Sequence, residues 1–157
     1  MRMPAFLLSA GWFVSLSALC AYAAPAFTPL PLGAGANTAF ADRQADDRQG
    51  GWTDQGGNDL SVMKPGTLKV SGIPFAILND AATGGKSCIV LGGAQRAYLP
   101  QSANVPVDNV QGACLYLLHG AAWCPPAKEQ KMTGVLVVDY ADGSTSEFHV
   151  RCGRDVA

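Results

Sequence analysis

The chain is poor in charge and in catalytic side chains. Charged residues make up 15% of its 157 positions, histidine occurs twice, and the formal net charge is −1. No cluster of Lys and Arg stands out, so the electrostatic footprint that nucleic acid requires is missing. There is no Cys-x-x-Cys, no Gly-x-Ser-x-Gly and no His-Glu-x-x-His. Zinc ribbons, thioredoxin-like redox pairs, hydrolase elbows and zincin helices therefore lack their residues. Gly85-Lys86-Ser87 copies the end of a phosphate-binding loop, but Asp80 occupies the place of its first glycine and an apolar run, not a helix, follows. His119 follows an apolar stretch with nothing polar to orient it, and His149 falls in a half-exposed strand, so neither reads as a catalytic base. No catalytic site and no obligatory cofactor is expected.

One long apolar run is present, at the N-terminus. Arg2 precedes an apolar stretch from Phe6 to Leu19, and Ala21-Tyr22-Ala23 offers the small-x-small pattern a signal peptidase accepts. Residues 1–23 read as a signal peptide cleaved near Ala23, with a secreted or periplasmic product. A membrane anchor needs ~20 apolar residues, whereas Ser9, Ser15 and Ser17 interrupt this run and Pro25 follows it, so no membrane association is expected after cleavage. Leu19 stands where a lipobox wants a small residue before Cys20. The remaining chain carries Cys88, Cys114, Cys124 and Cys152, an even number in an exported protein, which leaves three disulfide pairings open alongside free buried thiols.

Residues 24–38 hold Pro25, Pro29 and Pro31 among Ala and Gly, a composition for an extended arm. From 39 to 157 the pattern is that of an all-β domain. Leu68–Val70 and Ile73–Leu78 flank Ser71-Gly72, and Pro74 marks an edge or a bulge because it cannot donate to a ladder. Cys88–Leu91 is a further short strand, Val105 and Val107 alternate, and Cys114–His119 is apolar enough for a strand buried on both faces. Ala127–Met132 has room for a single helical turn. Asp142-Gly143 signals a two-residue type I′ turn, which would set Tyr140 opposite Thr145 and Val135 opposite Val150. That register gathers Val135, Val137, Phe148 and Val150 on one apolar face, with Cys152 in phase.

The most polar stretch surrounds Trp52. Trp52, Asp54, Gln55 and Asn58 combine an aromatic ring, which stacks on the C–H faces of a sugar, with acceptors and donors for its hydroxyls. The same ring could instead pack on the sheet edge. Asp46, Asp47 and Asp59 supply the oxygen ligands calcium prefers, though their spacing departs from the helix-loop-helix pattern.

The succession GGWTDQGGNDL, GIPFAILND, GGKSCIVLGG, VPV, LYLLHGAAW and GVLVVDYADGSTSEFHV, closing on CGRDV, resembles the galactose-binding-domain-like jelly-roll modules of secreted bacterial proteins. It covers roughly Ala39 to Ala157, and Trp52–Gly56 with Leu115–Trp123 carry most of the likeness. The resemblance implies a two-sheet antiparallel β-sandwich (a jelly roll). It also implies a non-catalytic role, binding carbohydrate or acting as a spacer beside a glycoside hydrolase, sometimes with structural calcium. Such modules usually continue beyond the closing Gly-Arg segment, so an open sheet edge is expected, suited to pairing with a partner strand in an adhesion or structural role. A hydrolase fragment would instead require Asp54 and Asp139 to converge as a carboxylate pair.

Overall fold

A computed structural model describes residues 26–156. The expected signal segment, 1–23, lies outside the described residues. Regular structure is almost all strand: β1 (Gly66–Val70), β2 (Ile73–Ile77), β3 (Met132–Asp139) and β4 (Thr145–Arg151), with 3-10 turns at Leu32–Gly35, Asp80–Ala82 and Ala127–Glu129. The all-β expectation holds. The first 3-10 turn sits in the Pro-rich arm but only after its last proline, Pro31, where the Ala36 amide donates to the Leu32 and Gly33 carbonyls. The turn expected after Pro126 is the third, ended by Gln130 at φ 42°.

β1 and β2 form an antiparallel hairpin with Val70 opposite Ile73. Ser71 and Gly72 connect them at φ 49° and 84°, both positive as a type I′ turn requires. Pro74 pairs with Lys69, and a two-stranded sheet is edge on both sides, so its missing N–H is tolerated.

The β3–β4 hairpin departs from its expected register by one residue. Asp139 pairs with Thr145, Val137 with Glu147, Leu136 with Phe148 and Val135 with His149. The cause is the turn. Among the central residues only Gly143 has positive φ, at 84°, while the Tyr140 amide donates to the Ser144 carbonyl and the Gly143 amide to the Tyr140 carbonyl. This is the three-residue connection, Ala141-Asp142-Gly143, in which a type I turn is followed by a left-handed glycine. Asp142 Oδ1 reinforces it by accepting from the Ser144 amide at 2.9 Å and hydroxyl at 2.6 Å. A one-residue slip exchanges faces. Leu136 and Val138, not Val135 and Val137, accompany Phe148 and Val150 on the apolar face. Cys152, in phase as expected, is fully buried.

Three other expected strand segments do not form, and of these Val105 and Val107 lie in coil. Cys88 makes only an isolated bridge with Thr38. Leu115–Leu118 are exposed at between 45% and 49% instead of buried on both faces, and no backbone–backbone hydrogen bond ties Cys114–His119 to the other described residues. A doubly buried strand needs a neighbour on each edge, and both hairpins close on themselves. Phe27 of the arm lies edge-on against Tyr116, centroids 6.0 Å apart.

Among the described residues the two hairpins do not touch each other. The buried apolar residues among those described are Ala36, Cys152 and Val156, all outside the hairpin strands. Of the three open pairings the structure contains Cys124–Cys152, Cα atoms 5.6 Å apart, and leaves Cys88 and Cys114 as free thiols. This bond ties the end of β4 to the segment that begins with Trp123.

Candidate functional site

Residues 41–61 form a coil held by its own carboxylates. Asp42 Oδ1 accepts from the Gln44 amide at 3.1 Å and its Oδ2 from the Gly56 amide at 2.8 Å. Asp59 accepts from the amides of Asp42, at 2.9 Å, and Ser61, at 3.0 Å. Bonds from Ser61 and the Asp42 amide hold the Asp59 carboxyl below its ordinary value. Asp, Asn, Ser and Gly dominate here because short polar side chains bond backbone two residues on and tolerate positive φ. Gly51 is required for a steric reason: at φ 56°, a Cβ would stand 2.6 Å from the Asp42 Cβ.

The centre of the coil is a charged, hydrogen-bonded network. Asp54, 7% exposed, accepts from the Arg48 amide at 3.1 and 3.2 Å, and its Oδ2 accepts from the Tyr98 hydroxyl at 2.8 Å. Arg96, 5% exposed, donates from Nε to the Tyr98 oxygen at 2.7 Å and from Nη1 to the Gly51 carbonyl at 2.9 Å. The guanidinium carbons of Arg96 and Arg48 stand 5.2 and 5.4 Å from the Tyr98 ring centroid, within cation–π range. Burial, with the bond to Asp54, pushes the Tyr98 phenol up.

Against this network lies a cavity of ≈ 200 Å³ lined by Asp46, Thr53, Asp54, Gln55, Gln95, Arg96 and Trp123. Trp123 is 50% exposed, and it, Asp46 and Asp54 all have positive φ, at 55°, 61° and 57°. For a tryptophan this conformation costs about 1–2 kcal/mol, a local strain of the kind that gathers at functional sites. The disulfide-bonded Cys124 and the Pro125-Pro126 pair follow Trp123 directly and restrict the backbone there.

Two of the four expected sugar contacts line this cavity, Asp54 and Gln55. Asn58 lies behind them, donating from Nδ2 to Gln55 Oε1 at 2.8 Å, while its carbonyl accepts from Thr53 Oγ1 at 2.8 Å. Trp52 is not among the lining residues; it is half-buried against Gly120, with its indole N–H unbonded among the described residues. Trp123 supplies the aromatic surface instead. The expected calcium ligands are dispersed: Asp46 lines the cavity, Asp59 caps backbone, and Asp47 groups with Asp42 and Asp54, ligand atoms within 4.8 Å of one another. Those three carboxylates already accept backbone amides, so the donor set would have to share its oxygens with any ion. Asp139 is exposed on β3 and does not line the cavity beside Asp54.

A larger concavity, ≈ 540 Å³, lies beside the disulfide, lined by Cys124, Pro125, Ala127, Gly153, Arg154, Asp155 and Val156. Its charged groups are engaged with each other, Arg154 Nε to Asp155 Oδ1 at 3.0 Å, and it offers less recognition chemistry than its smaller neighbour. No family model, no curated protein and no solved structure matches the chain.

Proposed function

We propose that the protein is an exported, non-catalytic carbohydrate-binding module whose site is the Trp123 cavity. The observation that carries this reading is a half-exposed indole beside polar side chains that still have hydrogen-bonding capacity. Sugar rings stack their C–H faces on aromatic surfaces, and their hydroxyls both donate and accept. Gln55 retains its amide N–H₂ after accepting from Asn58, Thr53 retains hydroxyl lone pairs after donating to Asn58, and Asp46 makes no side-chain hydrogen bond among the described residues. The volume suits a single sugar unit. Asp54, Tyr98 and Arg96 act as a rigid floor, their bonds already made within the protein, so little order remains to be imposed on binding.

Export from the N-terminal signal pattern belongs to the same proposal, as does the galactose-binding-like jelly roll. Its support is the strand-dominated regular structure and the antiparallel pairing within each hairpin. Affinity gel electrophoresis of the full chain through a panel of plant and algal polysaccharides tests the reading. Retardation by at least one polymer, abolished in Trp123→Ala, is expected. Migration unchanged by every polymer would refute it.

A further inference from the structure

Resting on the carbohydrate reading, the geometry points to a narrower ligand class: we infer that the cavity takes neutral sugar units and rejects uronic and sulfated ones, with Asp46 as the discriminating residue. The lining carries two carboxylates, Asp46 and Asp54, against one guanidinium, Arg96. An anionic sugar would need that guanidinium, since a charge leaving water must be paired. Arg96 spends two of its five N–H groups inside the protein, Nε on the Tyr98 oxygen and Nη1 on the Gly51 carbonyl, and on the lining it is outnumbered by the two carboxylates, so an added anion meets a net negative wall. Asp54 accepts from the same Tyr98 hydroxyl, which sets one of the two carboxylates close to that guanidinium.

Beside the remaining Arg96 N–H groups, the donors that face a ligand are the neutral amides of Gln55 and Gln95. Asp46 is exposed, and its carboxylate makes no hydrogen bond to the described residues, so it can accept from a sugar hydroxyl. Toward a sugar carboxylate or sulfate it presents like charge, a repulsive element of the kind that produces specificity. A pyranose whose C6 is a hydroxymethyl keeps the acceptor bond, whereas one whose C6 is a carboxylate loses it and meets repulsion.

The test compares the full chain and Asp46→Asn against neutral probes (galactan, mannan, glucan) and acidic ones (polygalacturonate, alginate, carrageenan). Asn adopts positive φ as readily as Asp, so the backbone at 46, φ 61°, is preserved. Binding to a neutral probe at least about tenfold tighter than to any acidic probe, with the gap narrowed in Asp46→Asn, is the expected result. Acidic probes binding as well as neutral ones would overturn the inference while leaving the carbohydrate reading intact. A gap unchanged in Asp46→Asn would remove Asp46 from its role, and no binding to either class would overturn both.

Discussion

Tyr98 is the side chain on which the site depends, because its hydroxyl donates to Asp54 and accepts from Arg96, both buried. Tyr98→Phe keeps the ring beside the two guanidinium groups but removes one hydrogen bond from each of two buried partners, Asp54 and Arg96. It should lower stability by about 1–3 kcal/mol, read as a shift in the urea midpoint at unchanged slope. The free thiols make a second contrast. Burial pushes Cys88 up to about 11 from an ordinary 9.0, opposed in part by Arg96, and its Sγ lies 3.4 Å from the Thr38 carbonyl, while Cys114 is exposed. At pH 8, iodoacetamide should label Cys114 and spare Cys88, checked by peptide mass spectrometry. Between about 9 and 11 the folded chain keeps a proton at Cys88 that the unfolded chain releases, so its contribution is complete below 9 and stability falls as pH rises through that window. The fall should be smaller in Cys88→Ala, leaving the part that the raised Tyr98 phenol contributes, measured by urea unfolding at pH 8 and pH 10.5.

The hairpins carry the lessons at the level of elements. Gly143→Ala places a Cβ at φ 84° and should cost about 1 kcal/mol, seen in the thermal midpoint. Backbone NOEs should link alternate pairs of the set Val135–His149, Val137–Glu147 and Asp139–Thr145, with the set shifted by one residue missing. Both hairpins were legible in the sequence from turn residues between β-rich runs. The register of the second was not, since Asp-Gly serves both the two-residue I′ turn and the end of the three-residue turn, and only the dihedral at Asp142 separates them. Cys114–His119 misled for a different reason. Its apolar run has the composition of a buried strand, but composition does not say whether a neighbouring edge exists to pair with it. Gln95, Arg96 and Tyr98 fall between the expected strand segments, where no periodicity marks what long-range contacts assemble. The signal available was an Arg and a Tyr two positions apart, both able to carry buried hydrogen bonds.

Across the whole molecule, one covalent link does what an extended core would otherwise do. Cys124–Cys152 joins residues 28 apart, and a loop of that length stabilises by about 3–4 kcal/mol in the chain-entropy view. Reduction should lower the urea midpoint accordingly. Because the bond holds the residue next to Trp123, it should also weaken carbohydrate binding under conditions where circular dichroism still reports strand. The sequence left the pairing open, as four cysteines allow three connectivities and only the placement of β4 against the Trp123 segment chooses among them. The aromatic platform was hidden by the same dependence: Trp52 sits among polar residues in the sequence, whereas Trp123 reaches such residues only in three dimensions. Tryptophan fluorescence titration of the full chain with an oligosaccharide from a retarding polymer, run beside Trp52→Phe and Trp123→Ala, separates the two rings. A saturable change that survives in Trp52→Phe and disappears in Trp123→Ala is the predicted result; a change lost in Trp52→Phe and kept in Trp123→Ala would contradict the Trp123 site.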